Sequence, residues 1–289
     1  MRSGSASLPA FLSPASGGAC NLKIVIEPGR ATAHYWRDLW RYRELMSFLA
    51  WRDVAVRYKQ TAIGLAWALI RPALTLLVFV AFRRMAGLQQ GTVPDALLVL
   101  AAVLPWQFFA SAVLETSNSL ISNTALISKV YFPRLIIPIA TVGVAFVDFL
   151  ATLVLLAGLM PWYGWAPGVR LAALPLFVVL TAALSLGLGL LLAALTVKYR
   201  DFRYAVPFVV QLGLFLSPVA IVTSQVPDRW QAVYALNPMV GIIDGFRWAI
   251  LGTALDRQAL ATAVLVTLVA LVSGTWYFRR TERGFADAI

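Results

Sequence analysis

Histidine and cysteine are almost missing from this sequence of 289 residues, which has one of each, His34 and Cys20. A single cysteine excludes a framework of disulfides, and a single histidine leaves no histidine-based metal site or catalytic pair. The sequence also lacks the phosphate-binding motif G-x-x-x-x-G-K-[ST], so it shows no ATP site of its own. These absences argue against an enzyme and favour a pore or a transporter whose energy source lies elsewhere.

Charged residues are scarce as well, at 13% of the chain, whereas 60% of the residues are hydrophobic. A soluble domain has about 25% charged residues, so this composition indicates a membrane protein. A net charge of +11 is also typical of proteins that bind nucleic acid. In a membrane protein it is better explained by cytoplasmic loops rich in Lys and Arg, and we predict no nucleic-acid partner.

The first 32 residues are rich in Ser, Ala, Gly and Pro, a composition that predicts a disordered cytoplasmic tail. The only candidate for a signal peptide in this tail is interrupted by Pro9, Ser13 and Pro14. A signal peptide needs an unbroken apolar stretch of about 7–15 residues. We therefore expect the tail to stay in the cytoplasm.

Residues 33–60 have the pattern of a basic amphipathic helix. Leu39, Tyr42, Met46 and Leu49 recur at helical spacing among arginines, with tryptophans suited to the headgroup layer. Such a helix lies in the interface of the inner leaflet. A soluble helix packed against a partner is the alternative.

Six segments between residue 61 and the C-terminus are long and apolar enough to cross a membrane. None has the alternation of a barrel strand, so the sequence predicts an all-α integral membrane protein with one six-span domain, 61–289. The approximate limits of the spans are 62–82, 96–114, 135–158, 171–196, 205–222 and 258–278.

About 35 residues separate spans five and six. They include "VYALNPMVGIIDGFRWAILG", which is apolar but carries Asp244, Arg247, Pro238 and several glycines. It is too interrupted for a span and too apolar for a free loop. Backbone that bends at membrane depth must be buried in protein or line a cavity. We therefore predict re-entrant half-helices on the periplasmic side.

The distribution of positive charge predicts the orientation. With both termini in the cytoplasm, 17 of the 24 Lys and Arg residues lie on the cytoplasmic side and six on the outer side. Arg71 falls within the first span.

Asp148 lies near the middle of the third span, where a charge costs at least ~2.5–3.5 kcal/mol. It needs a partner, for which Arg71 is the candidate. Since Asp148 is a lone acid within the spans, a proton relay is disfavoured. Two roles remain open for Asp148: it holds helices together through hydrogen bonds, or it belongs to the substrate path.

Four motifs then occur in a fixed order between the spans. They are "WRDVAVRYKQTAIGLAWALIRP" (51–72), "NTALISKVYFPRLIIPIA" (123–140), "VKYRDFRYAVPFVVQLGLFLSPVA" (197–220) and "LNPMVGIIDGFRWAILG" (236–252). From about residue 35 onward the sequence resembles the membrane subunit of ABC type-2 polysaccharide exporters, which move lipid-linked O-antigen, teichoic acid or capsule. Arg71, where an uncharged polar residue is expected, and Ile221, where an aromatic residue is common, depart from that pattern.

The resemblance implies a homodimer that works with two copies of a separate ATPase in a bacterial inner membrane. ATP and Mg²⁺ would bind to the ATPase, so this chain would hold no cofactor and would not be an enzyme. The implied substrate is an undecaprenyl-pyrophosphate-linked polysaccharide, and membrane lipid surrounds the complex.

Site residues follow from the same resemblance. The docking surface for the ATPase would be Asn123, Lys129, Arg134, Lys198, Arg200, Asp201, Phe202 and Arg203. Asp201 would pair locally with its neighbouring arginines; orientation charges alone would explain the Lys and Arg residues but not Asp201 or Phe202. The conduit would be lined by Tyr58, Trp67, Phe208, Gln211 and Phe215, because aromatic faces stack on sugar rings.

Two further groups complete the expected sites. The outer end of the conduit, a periplasmic gate, would be closed by Pro218, Asn237, Pro238 and Arg247. Arg41, Arg52 and Arg57 would contact the lipid phosphate at the inner leaflet.

Three other functions compete with a polysaccharide exporter. A drug or antibiotic exporter of the same superfamily would have the same architecture. A membrane enzyme such as a lipid glycosyltransferase would need an acidic or metal-binding cluster near one leaflet, and the sequence shows none. A channel would work without any ATPase.

Overall fold

A computed structural model describes residues 35–59, 66–88, 93–129, 132–223 and 226–285. Helices make up most of these ranges, and no strand occurs in them. The prediction of an all-α membrane protein is therefore confirmed. The predicted tail, residues 1–32, lies outside the described residues.

Eleven helices follow one another through the described ranges. They are α1 (Tyr35–Arg41), α2 (Arg43–Lys59), α3 (Ala66–Met85), α4 (Asp95–Ser122), α5 (Thr124–Lys129), α6 (Ile136–Trp162), α7 (Leu174–Lys198), α8 (Phe202–Phe215), α9 (Asp228–Tyr234), α10 (Pro238–Leu251) and α11 (Arg257–Thr281). A 3₁₀ turn, Val169–Ala173, precedes α7, and another, Glu282–Gly284, follows α11.

Five helices in the described ranges are long and apolar enough to cross a membrane, namely α3, α4, α6, α7 with its preceding 3₁₀ turn, and α11. The predicted span 205–222 differs. Its helix, α8, has 14 residues and is about 21 Å long, which is shorter than the ~30 Å hydrocarbon core. The chain turns at Leu216–Val219, because Pro218 has no N–H to continue the helix and disfavours a helical residue before it.

Helix α4 lies at the centre of the bundle, with 78% of its most apolar stretch buried. It packs against α6 and α7, and α7 in turn packs against α11. Glycines allow the last pair to approach closely, since a Cβ atom on Gly274 would lie 2.0 Å from the carbonyl oxygen of Gly187. Small residues at such contacts are typical of membrane helices.

Helix α3 is at the opposite extreme, with only 11% of its most apolar stretch buried. Large apolar side chains on α3, such as Leu77 and Val78, and on α8, such as Val209, are exposed in the single chain. These two helices are therefore among those whose apolar faces the fold itself leaves uncovered.

Two helices occupy the segment in which the sequence predicts half-helices. Helix α9 has seven residues, and α10 is buried along almost its whole length. Asn237 caps the start of α10 by accepting a hydrogen bond from the N–H of Met239 at 3.0 Å. Gly252 ends α10 with a φ of 74°, a left-handed conformation that suits glycine.

Helices α1 and α2 cover the predicted amphipathic helix from Tyr35 onward, with a turn at Tyr42 between them. Helix α2 packs against α6 and buries Leu49, while Trp40 and Trp51 stay exposed. This one-sided burial agrees with an amphipathic helix, and its location at the inner leaflet stays a prediction.

Candidate functional site

A group of charged side chains links α2 to two helices of the bundle. The guanidinium of Arg57 lies 2.5 Å from a carboxylate oxygen of Glu115 on α4 and 2.6 Å from one of Asp148 on α6. The hydroxyl of Tyr58 donates a hydrogen bond to the other oxygen of Asp148. Burial, together with Asp148, holds the pKa of Tyr58 above its usual range, so its hydroxyl remains a donor. We call these four residues the inner charge cluster.

A second contact joins α2 to the end of α4 beside this cluster. Arg52 donates to the side-chain oxygen of Asn123 at 2.8 Å and to a carboxylate oxygen of Asp53 at 2.8 Å. Helix α2 is therefore attached to the bundle by two arginines as well as by its apolar face.

The inner charge cluster corrects the expected partner of Asp148. Its cation is Arg57, whereas Arg71 is exposed on α3. Asp148 is also not a lone acid, because α4 continues to Ser122 and carries Glu115 beyond the predicted end of the second span. Glu115 is thus a residue that sequence reasoning missed, since it falls one position outside the apolar run.

The same contacts change the expected role of two arginines. The guanidinium groups of Arg52 and Arg57 are bound to protein oxygens within the chain, and their predicted contact with lipid phosphate stays a prediction. Arg41 is exposed, and its predicted contact with lipid phosphate stays a prediction.

Replacing Arg57 with Met is expected to lower the free energy of unfolding by about 1.5–3 kcal/mol, because two carboxylates lose a charged donor. The double variant Arg57→Met/Asp148→Leu should lose less than the sum of the single variants. Thermal unfolding of the detergent-solubilised chain measures this, with Arg43→Met, an exposed arginine on α2, as the control. Additive losses in the double variant would show that the pair is not coupled.

At the other end of the bundle, Arg83 near the end of α3 is fully buried. Its Nε donates to a carboxylate oxygen of Asp95 at 2.9 Å, and its two terminal nitrogens donate to the carbonyl oxygens of Ala220 at 2.8 Å and Leu88 at 2.9 Å. All three guanidinium nitrogens of Arg83 therefore have partners.

Two further side chains hold the turn that follows α8. Arg247, which is 1% exposed, donates to the carbonyl oxygens of Leu98 and Val219, each at 3.3 Å. Asn237 donates to the carbonyl oxygen of Leu216 and to the hydroxyl of Ser217, each at 3.1 Å. We call Arg83, Asn237 and Arg247 the outer clamp, because together they bind the backbone of residues 216–220.

The outer clamp brings together the residues expected at the periplasmic gate. Pro218 is buried within the clamped turn, and Pro238 is the first residue of α10 after Asn237. Their role as a gate stays a prediction. Arg83 was not among the expected gate residues, because the sequence offers no signal that separates it from the adjacent Arg84, which is exposed.

The expected docking surface divides into two groups. Five of the eight residues are exposed, namely Lys129, Lys198, Arg200, Asp201 and Arg203. In the part of the chain that the structure describes, none of these five forms an ion pair, so the expected pairing of Asp201 with its neighbouring arginines is wrong. Their charges are therefore available to a partner.

The remaining docking residues are occupied within the chain. Asn123 accepts from Arg52, and Phe202 is half-buried with its ring 6.3 Å from that of Tyr199. Arg134 binds the 3₁₀ turn after α11, because its N–H donates to a carboxylate oxygen of Glu282 at 3.0 Å and its guanidinium donates to the Glu282 carbonyl. These three residues are thus held by contacts within the chain, and their role in docking stays a prediction.

Helix α8 carries a row of side chains on one exposed face. Tyr204, Phe208, Gln211 and Phe215 follow one another at four, three and four residues, a spacing that places them on one side of a helix. Phe208 is 62% exposed and Phe215 is 72% exposed. Trp67 on α3 is exposed too, whereas Tyr58, the remaining conduit candidate, belongs to the inner charge cluster.

Comparison with known proteins decides the class to which this arrangement belongs. The family model described as ABC-2 type transporter matches residues 44–251, a range that includes the inner charge cluster, the outer clamp and α8. The chain belongs to the ABC-2 type transporter family. The resemblance inferred from the four motifs is therefore confirmed.

Curated relatives of this ABC-2 type chain match it along most of their length. The O-antigen export system permease protein RfbA of Myxococcus xanthus is 27% identical over 256 residues, which are 88% of this chain and 98% of the relative. A protein of the same name from Klebsiella pneumoniae is 22% identical over 248 residues, or 85% of this chain and 95% of the relative. Members of this family are membrane components of transporters, so this chain is a multi-pass membrane transport protein.

Proposed function

We propose that this chain is the permease of an ATP-driven exporter that moves O-antigen-type polysaccharide across a bacterial inner membrane. The row of Tyr204, Phe208, Gln211 and Phe215 on the exposed face of α8 carries the proposal. Aromatic rings stack on the apolar faces of sugars, and an amide exchanges hydrogen bonds with hydroxyl groups. Each contact is weak and repeated, so a polymer slides without being held at one sugar. The names of the relatives support the same substrate class.

The conduit forms between two copies of the chain. One chain leaves α3 almost uncovered and exposes the α8 row, so it builds at most half of a wall. A second copy that faces these helices encloses a path lined by Trp67, Phe208, Gln211 and Phe215. The outer clamp lies at the end of α8 and holds the turn that closes this path.

A separate ATPase drives the exporter and binds ATP and Mg²⁺. The exposed charges Lys129, Lys198, Arg200, Asp201 and Arg203 form its docking surface. Complementary charge on the ATPase gives this contact its specificity. Helix α4 contacts both α5 and α8. Movement at α5 and at the start of α8 then passes through α4 and the inner charge cluster to α2 and α6, and the undecaprenyl-pyrophosphate-linked glycan advances outward.

Replacing both Phe208 and Phe215 with Ala is expected to lower polysaccharide export about tenfold, because each aromatic contact is worth about 0.5–1.5 kcal/mol. Assembly with the ATPase should be unchanged, since both rings are exposed in the chain. Surface polysaccharide and co-purification of the ATPase are measured in the same cells. Trp162→Ala removes a still more exposed ring at the end of α6 and should leave export unchanged. Undiminished export by the double variant would remove these rings from the conduit.

A further inference from the structure

A groove lies between α1 and α11, and none of the residues that line it belongs to α8 or to the outer clamp. It is a shallow groove, open to the surface, with a volume of about 710 Å³. Trp36 of α1 forms one wall, and the other is formed by α11 from Leu271 to Arg280. The transport path proposed above uses none of these residues.

One end of the groove is basic. Arg279 lies with its guanidinium carbon 4.5 Å from the ring centroid of Tyr35 and 5.9 Å from that of Trp36. Arg280 lies 5.3 Å from the ring centroid of Trp276. Contact with these aromatic rings helps to position both guanidinium groups and leaves their N–H donors for another ligand.

Neither arginine is neutralised by an ion pair in the described ranges. Glu282 is the acid that interacts electrostatically with Arg279. One of its carboxylate oxygens, however, already accepts hydrogen bonds from the Tyr35 hydroxyl at 3.2 Å and from the N–H of Arg134 at 3.0 Å. The basic end of the groove therefore has two positive charges and at most part of one negative charge.

The other end of the groove is apolar. Leu271 and Val272 lie eight residues before the arginines on the same helix, which is about 12 Å deeper at 1.5 Å per residue. Val272 is 68% exposed. Because most of the basic residues lie on the cytoplasmic side, the arginines lie at the level of the inner headgroups and the apolar wall lies among the acyl chains.

From this arrangement we infer that the groove between α1 and α11 binds an anionic phospholipid of the inner leaflet. Its phosphate accepts hydrogen bonds from Arg279 and Arg280, and one acyl chain lies along Leu271 and Val272. Tryptophans on both walls, Trp36 and Trp276, are at the depth that indole rings prefer. Basic pockets beside membrane helices on the cytoplasmic side bind anionic headgroups in this way. The bound lipid joins α1 to α11.

Native mass spectrometry of the full chain from a neutral detergent tests this inference. The probes are phosphatidylglycerol and phosphatidylcholine with identical acyl chains. Wild type should retain phosphatidylglycerol in preference to phosphatidylcholine. The variant Arg279→Gln/Arg280→Gln should bind phosphatidylglycerol about 25-fold more weakly, since each arginine near the surface contributes about a fivefold change in affinity.

Arg43→Gln is the matched control, because Arg43 is also exposed and stacks on a tryptophan, with 5.7 Å from its guanidinium carbon to the ring centroid of Trp40. It should bind phosphatidylglycerol as wild type does. If the double variant does not fold, Arg280→Gln alone, which leaves the contacts of Arg279 with Tyr35 and Trp36 intact, should weaken binding about fivefold.

Equal binding of the two phospholipids by wild type, or equal binding of phosphatidylglycerol by the arginine variants, would overturn the inference. Competition distinguishes the source of the phosphate. If a polyprenyl pyrophosphate displaces phosphatidylglycerol from wild type at equal or lower concentration, the groove belongs to the carrier of the export substrate and not to a bilayer lipid.

Discussion

Arg83→Met is expected to lower the free energy of unfolding by about 3–5 kcal/mol, the largest loss of stability for any single substitution considered. Arg83 is fully buried, and its three nitrogens bind Asp95 and the carbonyl groups of Ala220 and Leu88. Methionine fills a similar volume but donates no hydrogen bond. The substitution therefore leaves a largely buried carboxylate and two carbonyl oxygens without their donor.

The Arg83→Met variant should also lose the closure of the conduit that we propose for the outer clamp. Ala220 belongs to the turn that closes the end of α8, so loss of Arg83 frees one of the bonds that hold this turn. We expect the midpoint of thermal unfolding to fall and the permease to become leaky to small solutes. Both are measured on the purified chain, the first in detergent and the second in vesicles that contain a trapped dye.

Arg84 supplies the matched control for Arg83. It is the next residue of α3, has the same side chain and is exposed, so Arg84→Met should leave both measurements close to those of wild type. The double variant Arg83→Met/Asp95→Leu should recover part of the lost stability, because it removes the carboxylate that the single variant leaves unpaired. Similar effects of Arg83→Met and Arg84→Met would mean that the clamp does not hold the turn.

Charge reversal at Arg200 and Asp201 is expected to abolish assembly with the ATPase. These residues lie between α7 and α8, are exposed and form no ion pair in the described part of the chain. Arg200→Glu/Asp201→Lys therefore leaves the internal contacts of the permease intact while it inverts both charges of the proposed docking surface. Loss of one partner of a buried charge pair at an interface costs about 2–5 kcal/mol, so we expect at least a tenfold loss of co-purified ATPase.

Arg257→Glu is the control for this reversal. Arg257 is an exposed residue at the start of α11. The orientation predicted from the basic residues places it on the outer side, where a cytoplasmic ATPase has no access. Both variants should insert into the membrane at the wild-type level. Normal co-purification of the ATPase with the Arg200→Glu/Asp201→Lys variant would exclude this surface from docking.

The sequence predicts the long membrane helices well, because a run of about twenty apolar residues is a local property. Helices α4, α6, α7 and α11 all contain their predicted spans or nearly so. The predicted span 205–222 is the exception. Its hydropathy continues through Pro218, whereas the backbone turns there and α8 ends at Phe215. A single proline hardly changes the mean hydropathy of an apolar run, so hydropathy alone does not predict the end of the helix there.

The contacts of the candidate site could not be predicted from the sequence, because they join residues that are far apart along the chain. Arg57 reaches Glu115 and Asp148 across 58 and 91 positions of the chain, so its partners follow from the packing of α2 on the bundle. Arg83 and Arg84 are likewise adjacent residues of the same type, so the sequence does not tell them apart. They lie on different faces of α3, and for this reason Arg83 is buried and Arg84 is exposed. By contrast, the spacing of Phe208, Gln211 and Phe215 already places them on one face of any helix.

Transport by the purified permease tests the central proposal most directly. The chain is reconstituted in vesicles with a lipid-linked O-antigen-type glycan, alone and together with its ATPase, and accumulation of the glycan inside inverted vesicles is measured with and without ATP. The proposal predicts accumulation only when permease, ATPase and ATP are all present. Accumulation driven by the permease alone would contradict it.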